Sequence, residues 1–213
     1  MVMPERKVPL PTVQRLSVYR KVLEELHRDG VEFVYSQQLA DLAGVTSAQL
    51  RRDLASFGSF GNIARGYNVY QLSRTMARLL GTDRVQSVAL IGVGDLGRAM
   101  LSYRGFEERG FHIAVAFDLD AEKVGRVYAG RRCHAMTDLE TVVKEFSVKI
   151  AILACGPQRL QVTVDRLASA GVKLFLNFVP KRVVTPPDGW VEEIDIAARL
   201  ERLSFFGQAG VQE

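Results

Sequence analysis

A chain of 213 residues with 47% hydrophobic and 24% charged side chains is long enough for one large globular domain, or for a small domain joined to a medium one. No apolar run approaches the ~18 residues that a membrane span needs. The opening "MVMPERKVPLPT" carries three prolines and several charges where a secretory leader would be apolar. The expectation is a protein that neither spans a membrane nor is secreted, located in the cytoplasm.

The net charge of +4 is unevenly spread. Residues 1–80 hold 11 Lys and Arg against 7 Asp and Glu, whereas residues 81–213 hold 17 of each sign. A solvated helical surface accounts for that excess as well as a polyanion-binding face does, so a motif has to decide. Cys133 and Cys155 form no Cys-x-x-Cys pair and have no His/Cys cluster around them. Both read as small buried hydrophobes in a reducing compartment, and no metal site is expected.

The first element is an amphipathic helix over "TVQRLSVYRKVLEELHRDG", with Leu16, Tyr19, Val22, Leu23 and Leu26 at helical spacing. Thr12 is placed to cap its start and Gly30 to end it. The apolar "VEFVY" predicts a short strand, and Ser36 is placed to cap a second helix, "QQLADLA". Gly44 and Val45 then lead into "TSAQLRRDLASF".

Ala40, Gly44 and Val45 have helix-turn-helix spacing: a small residue where two helices cross, a glycine at the turn and an apolar plug. Thr46 and Gln49 fit a capping box at the start of the second helix. Leu50 and Leu54 face inward. Thr46, Ser47, Gln49, Arg51 and Arg52 lie at the end that meets base edges in a major groove, where Gln suits adenine and Arg suits guanine or phosphate. The plainer alternative is a generic helical pair in which Arg52 and Asp53 only neutralise each other. "GSFGNIARGYNV" then reads as the hairpin wing of a winged helix, with Arg65 and Tyr67 as further DNA contacts. "YQLSRTMARLLG" closes the unit with one apolar stripe.

The second half opens on "VQSVALIGVGDLGRAM", a strand, a glycine turn and a helix. Gly92, Gly94 and Gly97 fill Gly-x-Gly-x-x-Gly, which permits a tight turn, backbone approach to pyrophosphate and close helix–strand packing. The predicted phosphate-binding segment is therefore Gly92, Val93, Gly94, Asp95, Leu96 and Gly97, with the helix N-terminus supplying free N–H groups. Asp95 is the unfavourable member if its side chain points at phosphate. Asp118 ends the next strand, "HIAVAFD", where a carboxylate accepts the ribose hydroxyls of NAD and repels the 2′-phosphate of NADP. Lys123 and Arg126 nearby soften that preference.

Thr137 and Glu140 suggest a capping box before "LETVVKEF". Strands at "VKIAILAC" and "VKLFLNF" flank a helix at "GPQRLQVTVDRLASAG". The expected class is α/β, a doubly wound parallel sheet behind a winged helix-turn-helix. Cys155, Gly156, Pro157 and Asn177 are expected beside the cofactor. The last helix, from Ile196, either packs on its own domain or crosses to a second subunit. The expected domains are 1–81, 82–195 and 196–213.

Taken together, the two halves resemble the Rex family of redox-sensing transcriptional repressors, from about Pro11 to Phe206. The resemblance is carried in order by "PTVQRLSVY", "QLADLAGVTSAQLRRDLASFGSFG", "GYNV", "IGVGDLGRAMLSYRGF", "AFDLDAEKVG", "AGVKLFLNFVP" and "EEIDI…RLERLSF". It implies a homodimer whose winged helices read a palindromic double-stranded DNA operator. It also implies a Rossmann domain that binds NADH or NAD⁺, release from DNA by NADH, and a swapped C-terminal helix. By motif match, Arg15, Tyr103 and Asp195 fall where the family couples cofactor state to domain geometry. Two segments depart from the family pattern. In "GNIARGY", Ile63 and Ala64 stand where arginine and glycine are usual, and Arg65 is displaced by two. The "CGP" loop replaces a Val-Pro.

Three alternatives stand beside this reading. An NAD-dependent oxidoreductase needs a proton donor, yet His27, His112 and His134 fall in the front helix or along strands, leaving Tyr103; no catalytic residue is assigned. A Rossmann sensor of another nucleotide or of CoA has to contend with Asp118. A front domain that binds protein instead of DNA would show flat salt dependence.

Overall fold

The computed structural model describes residues 8–60 and 65–209. The chain divides into two compact units, Met1–Arg84 and Val85–Glu213. No helix among the described residues is long and apolar enough to cross a membrane.

The first unit contains α1 (Leu10–Arg28), β1 (Phe33–Val34), α2 (Ser36–Leu42), α3 (Ser47–Ala55), β2 (Tyr67–Asn68) and α4 (Val69–Leu79). Leu16, Tyr19 and Leu23 of α1 meet Leu39 and Ala40 of α2, Leu50 and Leu54 of α3, and Leu72 and Met76 of α4 in one core. Each large apolar side chain buried there contributes about 1.5–3 kcal/mol. At the α2–α3 corner Gly44 takes φ +68°, a left-handed conformation that glycine adopts without strain. The Val45 N–H donates back to the Ala40 carbonyl at 3.0 Å. β1 and β2 pair antiparallel, Phe33 opposite Asn68 and Val34 opposite Tyr67. Gly66 is fixed by this pairing, since a Cβ there would lie 2.6 Å from the Val34 carbonyl oxygen.

Three expected caps differ in the structure. α1 begins at Leu10 with Pro9 as its N-cap, so Thr12 lies inside the first turn. Pro11 causes this, because its fixed φ and missing N–H suit a first turn. The buried Thr12 hydroxyl instead accepts from Arg15 Nη2 at 3.2 Å. α2 is capped from Tyr35, one residue before Ser36, with the Tyr35 N–H donating to Gln38 Oε1 at 3.1 Å. The Thr137/Glu140 box does not form. A 3₁₀ turn, Met136–Asp138, precedes the next helix, and the Arg166 fork captures Glu140 at 2.6 and 2.7 Å.

The second unit runs β3 (Gln86–Ile91), α5 (Asp95–Ser102), α6 (Gly105–Glu108), β4 (Phe111–Asp118), β5 (Val127–Tyr128), β6 (Arg131–Ala135), α7 (Leu139–Glu145), β7 (Ile150–Leu153), α8 (Leu160–Ser169), β8 (Leu174–Asn177), β9 (Trp190–Glu193) and α9 (Ile196–Ala209). Its seven-stranded sheet has the order β5-β6-β4-β3-β7-β8-β9 and is parallel except for the β5–β6 hairpin. Both faces are covered. Ala89 and Ile91 point into a core with α7 and α8, whereas Val88 and Leu90 point into one with Met100 of α5. That alternation follows from the two-residue period of a strand. The strand order turns back on itself at β3, which opens a crevice at the C-terminal ends of β3 and β7. At the end of the chain, Ile196, Leu200, Leu203, Phe205 and Phe206 of α9 are all exposed.

Candidate nucleotide cleft and nucleic-acid interface

The crevice is a cleft of about 390 Å³. Gly92, Gly94, Asp118, Lys123, Cys155, Gly156, Gln158 and Arg159 lie around its rim, and Ile91, Phe117, Met136 and Ala154 supply apolar surface. The three glycines act by different means. Gly92 has φ +100°, and a Cβ on it would overlap the Ala154 carbonyl of the neighbouring β7 end. A Cβ on Gly97 would overlap the Gly92 carbonyl. A Cβ on Gly94 would meet nothing, so the backbone there faces open space. No side chain caps α5, which leaves its first N–H groups for a ligand. Asp95 is turned away and pairs with Arg98 on the exposed surface.

Asp118 is held mainly by backbone. Oδ2 accepts from the Val93 N–H at 2.7 Å, and Oδ1 from the Asp120 N–H at 2.9 Å. Lys123 Nζ lies 3.2 Å from Asp118 and 3.6 Å from Asp120. Burial raises the Asp118 pKa, but these N–H donors and Lys123 outweigh it and hold the carboxyl below the usual carboxylate range. Oδ1 keeps acceptor capacity beyond its one bond, and Asp118 lines the cleft. Arg126 is exposed and does not line it.

The other sequence-predicted cofactor residues divide. Cys155, Gly156 and Pro157 follow β7, and Cys155 and Gly156 line the cleft. Cys133 is buried as expected, but Cys155 is only half buried because it sits at the cleft edge. Burial pushes both thiols up, so neither is activated as a thiolate. Asn177 and Leu96 line an adjoining depression with Pro180, Lys181 and Asp195. There the Asn177 side chain braces its own loop, donating to the Lys181 carbonyl and accepting from the Val179 N–H, both at 3.0 Å. Tyr103 lies at the far end of α5, edge-on to Phe106, beside Arg104, Glu107 and Arg131, and not in the Asp118 cleft. Asp195 caps α9 through the Ala198 N–H at 2.9 Å. Sequence reasoning missed Gln158, Arg159 and Met136. Their one signal was position just after strands whose ends meet the crevice.

In the first unit, Thr46 Oγ1 caps α3 by accepting from the Gln49 N–H at 3.1 Å. The reciprocal arm of the box is absent, because the Gln49 amide donates to Asp53 Oδ1 at 2.9 Å. Asp53 does not pair with Arg52. It is 3% exposed and accepts Arg15 Nε at 2.6 Å, Arg15 Nη2 at 2.8 Å and the Tyr19 hydroxyl at 2.8 Å. Burial raises its pKa, but the Arg15 fork, Tyr19 and Gln49 outweigh it, and the carboxyl is held below its usual range. Arg51 is exposed and bonds back to Ser47, while exposed Arg52 donates to Gln49 Oε1 at 3.1 Å. Neither guanidinium has a carboxylate partner among the described residues, which leaves a positive face on α3. Arg65 is exposed and Tyr67 half buried; Ile63 and Ala64 lie outside the described residues.

A helix-turn-helix unit followed by a Rossmann unit with an open glycine-turn cleft defines a class, the nucleotide-responsive DNA-binding regulators. Residues 7–55 match the family described as "Putative DNA-binding protein N-terminus", and residues 83–181 the family described as "CoA binding domain". The redox-sensing transcriptional repressor Rex of Carboxydothermus hydrogenoformans is 42% identical over 93% of this chain and 96% of its own. That of Listeria monocytogenes is 39% identical over 94% and 93%. A crystal structure of RSP in complex with β-NAD⁺ and operator DNA superposes with a TM-score of 0.88 at 32% identity, covering 94% of this chain and 93% of that one. RSP is described as a Rex-family repressor, and its complex with β-NADH superposes with a TM-score of 0.83 at 32% identity, over 94% of each chain. The chain belongs to the Rex family of redox-sensing transcriptional repressors.

Proposed function

We propose that this protein is a transcriptional repressor that binds a palindromic operator and is released when NADH replaces NAD⁺. The observation that carries the reading is the presence, in one chain, of an open Gly94 turn facing Asp118 and a helix-turn-helix with an unneutralised cationic face. The near-full-length likeness to Rex repressors supports it.

The cleft fits a dinucleotide. The uncapped N–H groups of α5 would hold the pyrophosphate, and the Asp118 carboxylate the adenosine ribose. The nicotinamide supplies the redox state that is sensed. Ser47, Gln49, Arg51, Arg52 and Arg65 would meet phosphates and base edges, and Thr46 and Tyr67 would hold the elements that carry them. The protein acts as a cytoplasmic homodimer, since a two-fold operator mirrors a two-fold protein. The exposed apolar side chains of α9 support its docking on a second subunit. The role is regulatory and not enzymatic, as the naming of the relatives as transcriptional repressors supports.

NADH can shift the dimer only by as much as it prefers the DNA-incompetent state. A 100-fold change in operator affinity needs about 2.7 kcal/mol of coupling. Any state that recruits Arg15 to another carboxylate must first release it from Asp53. A gel shift on a palindromic duplex, titrated separately with NADH and NAD⁺, tests the proposal; identical retention with both overturns it. The match to a CoA-binding family favours CoA as the second reading. CoA carries a phosphate on its adenosine ribose, which Asp118 repels, so calorimetry with CoA and NADH separates the two.

A further inference from the structure

We propose that Asp53 is a positioning residue that ties Arg15 on α1 to the DNA-reading side chains Gln49 and Arg52 on α3. The inference rests on the assignment of α3 as the reading helix. One oxygen of Asp53, Oδ1, accepts from both Arg15 Nη2 at 2.8 Å and Gln49 Nε2 at 2.9 Å. The other, Oδ2, accepts from Arg15 Nε at 2.6 Å and the Tyr19 hydroxyl at 2.8 Å. Gln49 then accepts from Arg52 through Oε1 at 3.1 Å. An unbroken relay therefore runs from the part-buried guanidinium of α1 to an exposed cation on α3.

Asp53 cannot itself read DNA, being a buried anion with every described donor turned inward. Its effect depends on what neutralises it. With Arg15 in place, Gln49 is one of four hydrogen bonds to the carboxylate. Without Arg15 the negative charge stays buried, and its remaining donors are Tyr19 and Gln49. A buried charge left unpaired draws strongly on whatever donor remains. The Gln49 amide is then pulled toward the core, and Arg52, bonded to its other end, moves with it. Arg15 thus alters base reading without touching DNA.

A purely architectural role for the cluster would lower affinity evenly across all duplexes. The test is a double-mutant cycle on operator binding by the full-length chain. It uses a duplex selected by the wild type from a random library and a panel of its single-base variants. Arg15→Ala is expected to weaken binding about tenfold and to relax preference at the same base position as Gln49→Ala; in a Gln49→Ala background it should change affinity less than about twofold. Thermal unfolding identifies a variant that fails to fold. If Arg15→Ala is one, Arg15→Gln, which removes the charge but can still donate to the carboxylate, carries the same expectation at the same position. An even loss across the panel, or effects that simply multiply, overturns the relay. If the wild type selects no duplex at all, the DNA-reading assignment falls and the relay with it.

Discussion

The two units each hold a carboxylate below its normal pKa, but by opposite means. In the first unit Asp53 is enclosed by side chains from α1 and α3, and its lone pairs are committed to the core. In the second, Asp118 is fixed by backbone N–H groups at a strand end and keeps one side toward an open cleft. Side-chain donors that close around it make a carboxylate an architectural clamp, whereas backbone donors at strand ends leave it available to a ligand. The same residue type therefore joins helices in one unit and, on the proposed reading, meets a ribose in the other.

The comparison predicts that substitutions at the two positions separate stability from ligand affinity. Asp53→Ala should cost about 3 kcal/mol, the low end for breaking a buried pair, because Asp53 is buried but Arg15 is partly exposed. Denaturant unfolding measures it, and a loss below about 1 kcal/mol would mean the clamp is solvated. The acid limb sharpens the point. A folded pKa below the unfolded value near 4 gives stability that is present above about pH 4 and lost as pH falls through the folded pKa. Asp53→Asn should flatten that limb.

Next in size, Gly92→Ala combines a strained positive φ with overlap at the Ala154 carbonyl. It should cost about 1–3 kcal/mol and abolish NADH binding by calorimetry. Asp118→Asn keeps an acceptor for the Val93 N–H but removes the charge. NADH affinity should fall roughly tenfold, about 1.4 kcal/mol, and the preference over NADPH should narrow, with the melting temperature little changed. A large stability loss here with unchanged NADH affinity would reverse the assignment of the two carboxylates. The smallest effect is at Arg51. Arg51→Ala should weaken all duplexes similarly and lower the log–log salt slope by about 0.9.

The helix-turn-helix and the glycine turn were legible because both depend on local spacing: Ala40, Gly44 and Val45 in one, and Gly92, Gly94 and Gly97 in the other. What sequence reading missed depends on distant partners or on elements too short to show a period. Asp53 reads as a neighbour of Arg52, since nothing local marks Arg15, 38 residues earlier, as its partner. β6, "RRCHA", and β9, "WVEE", look like polar loops. Each is a strand because it pairs with a buried neighbour, β6 with β4 and β9 with β8. The apolar side chains of α9 have helical spacing, but the single chain leaves them exposed.

The central claim is that occupancy of the Asp118 cleft governs operator binding. Operator affinity measured on one duplex at fixed salt, with saturating NADH and then with saturating NAD⁺, tests it most directly. The account predicts binding weaker with NADH by about 100-fold, equivalent to about 2.7 kcal/mol of coupling. Equal affinities in the two states, with both nucleotides shown to be bound, would contradict it.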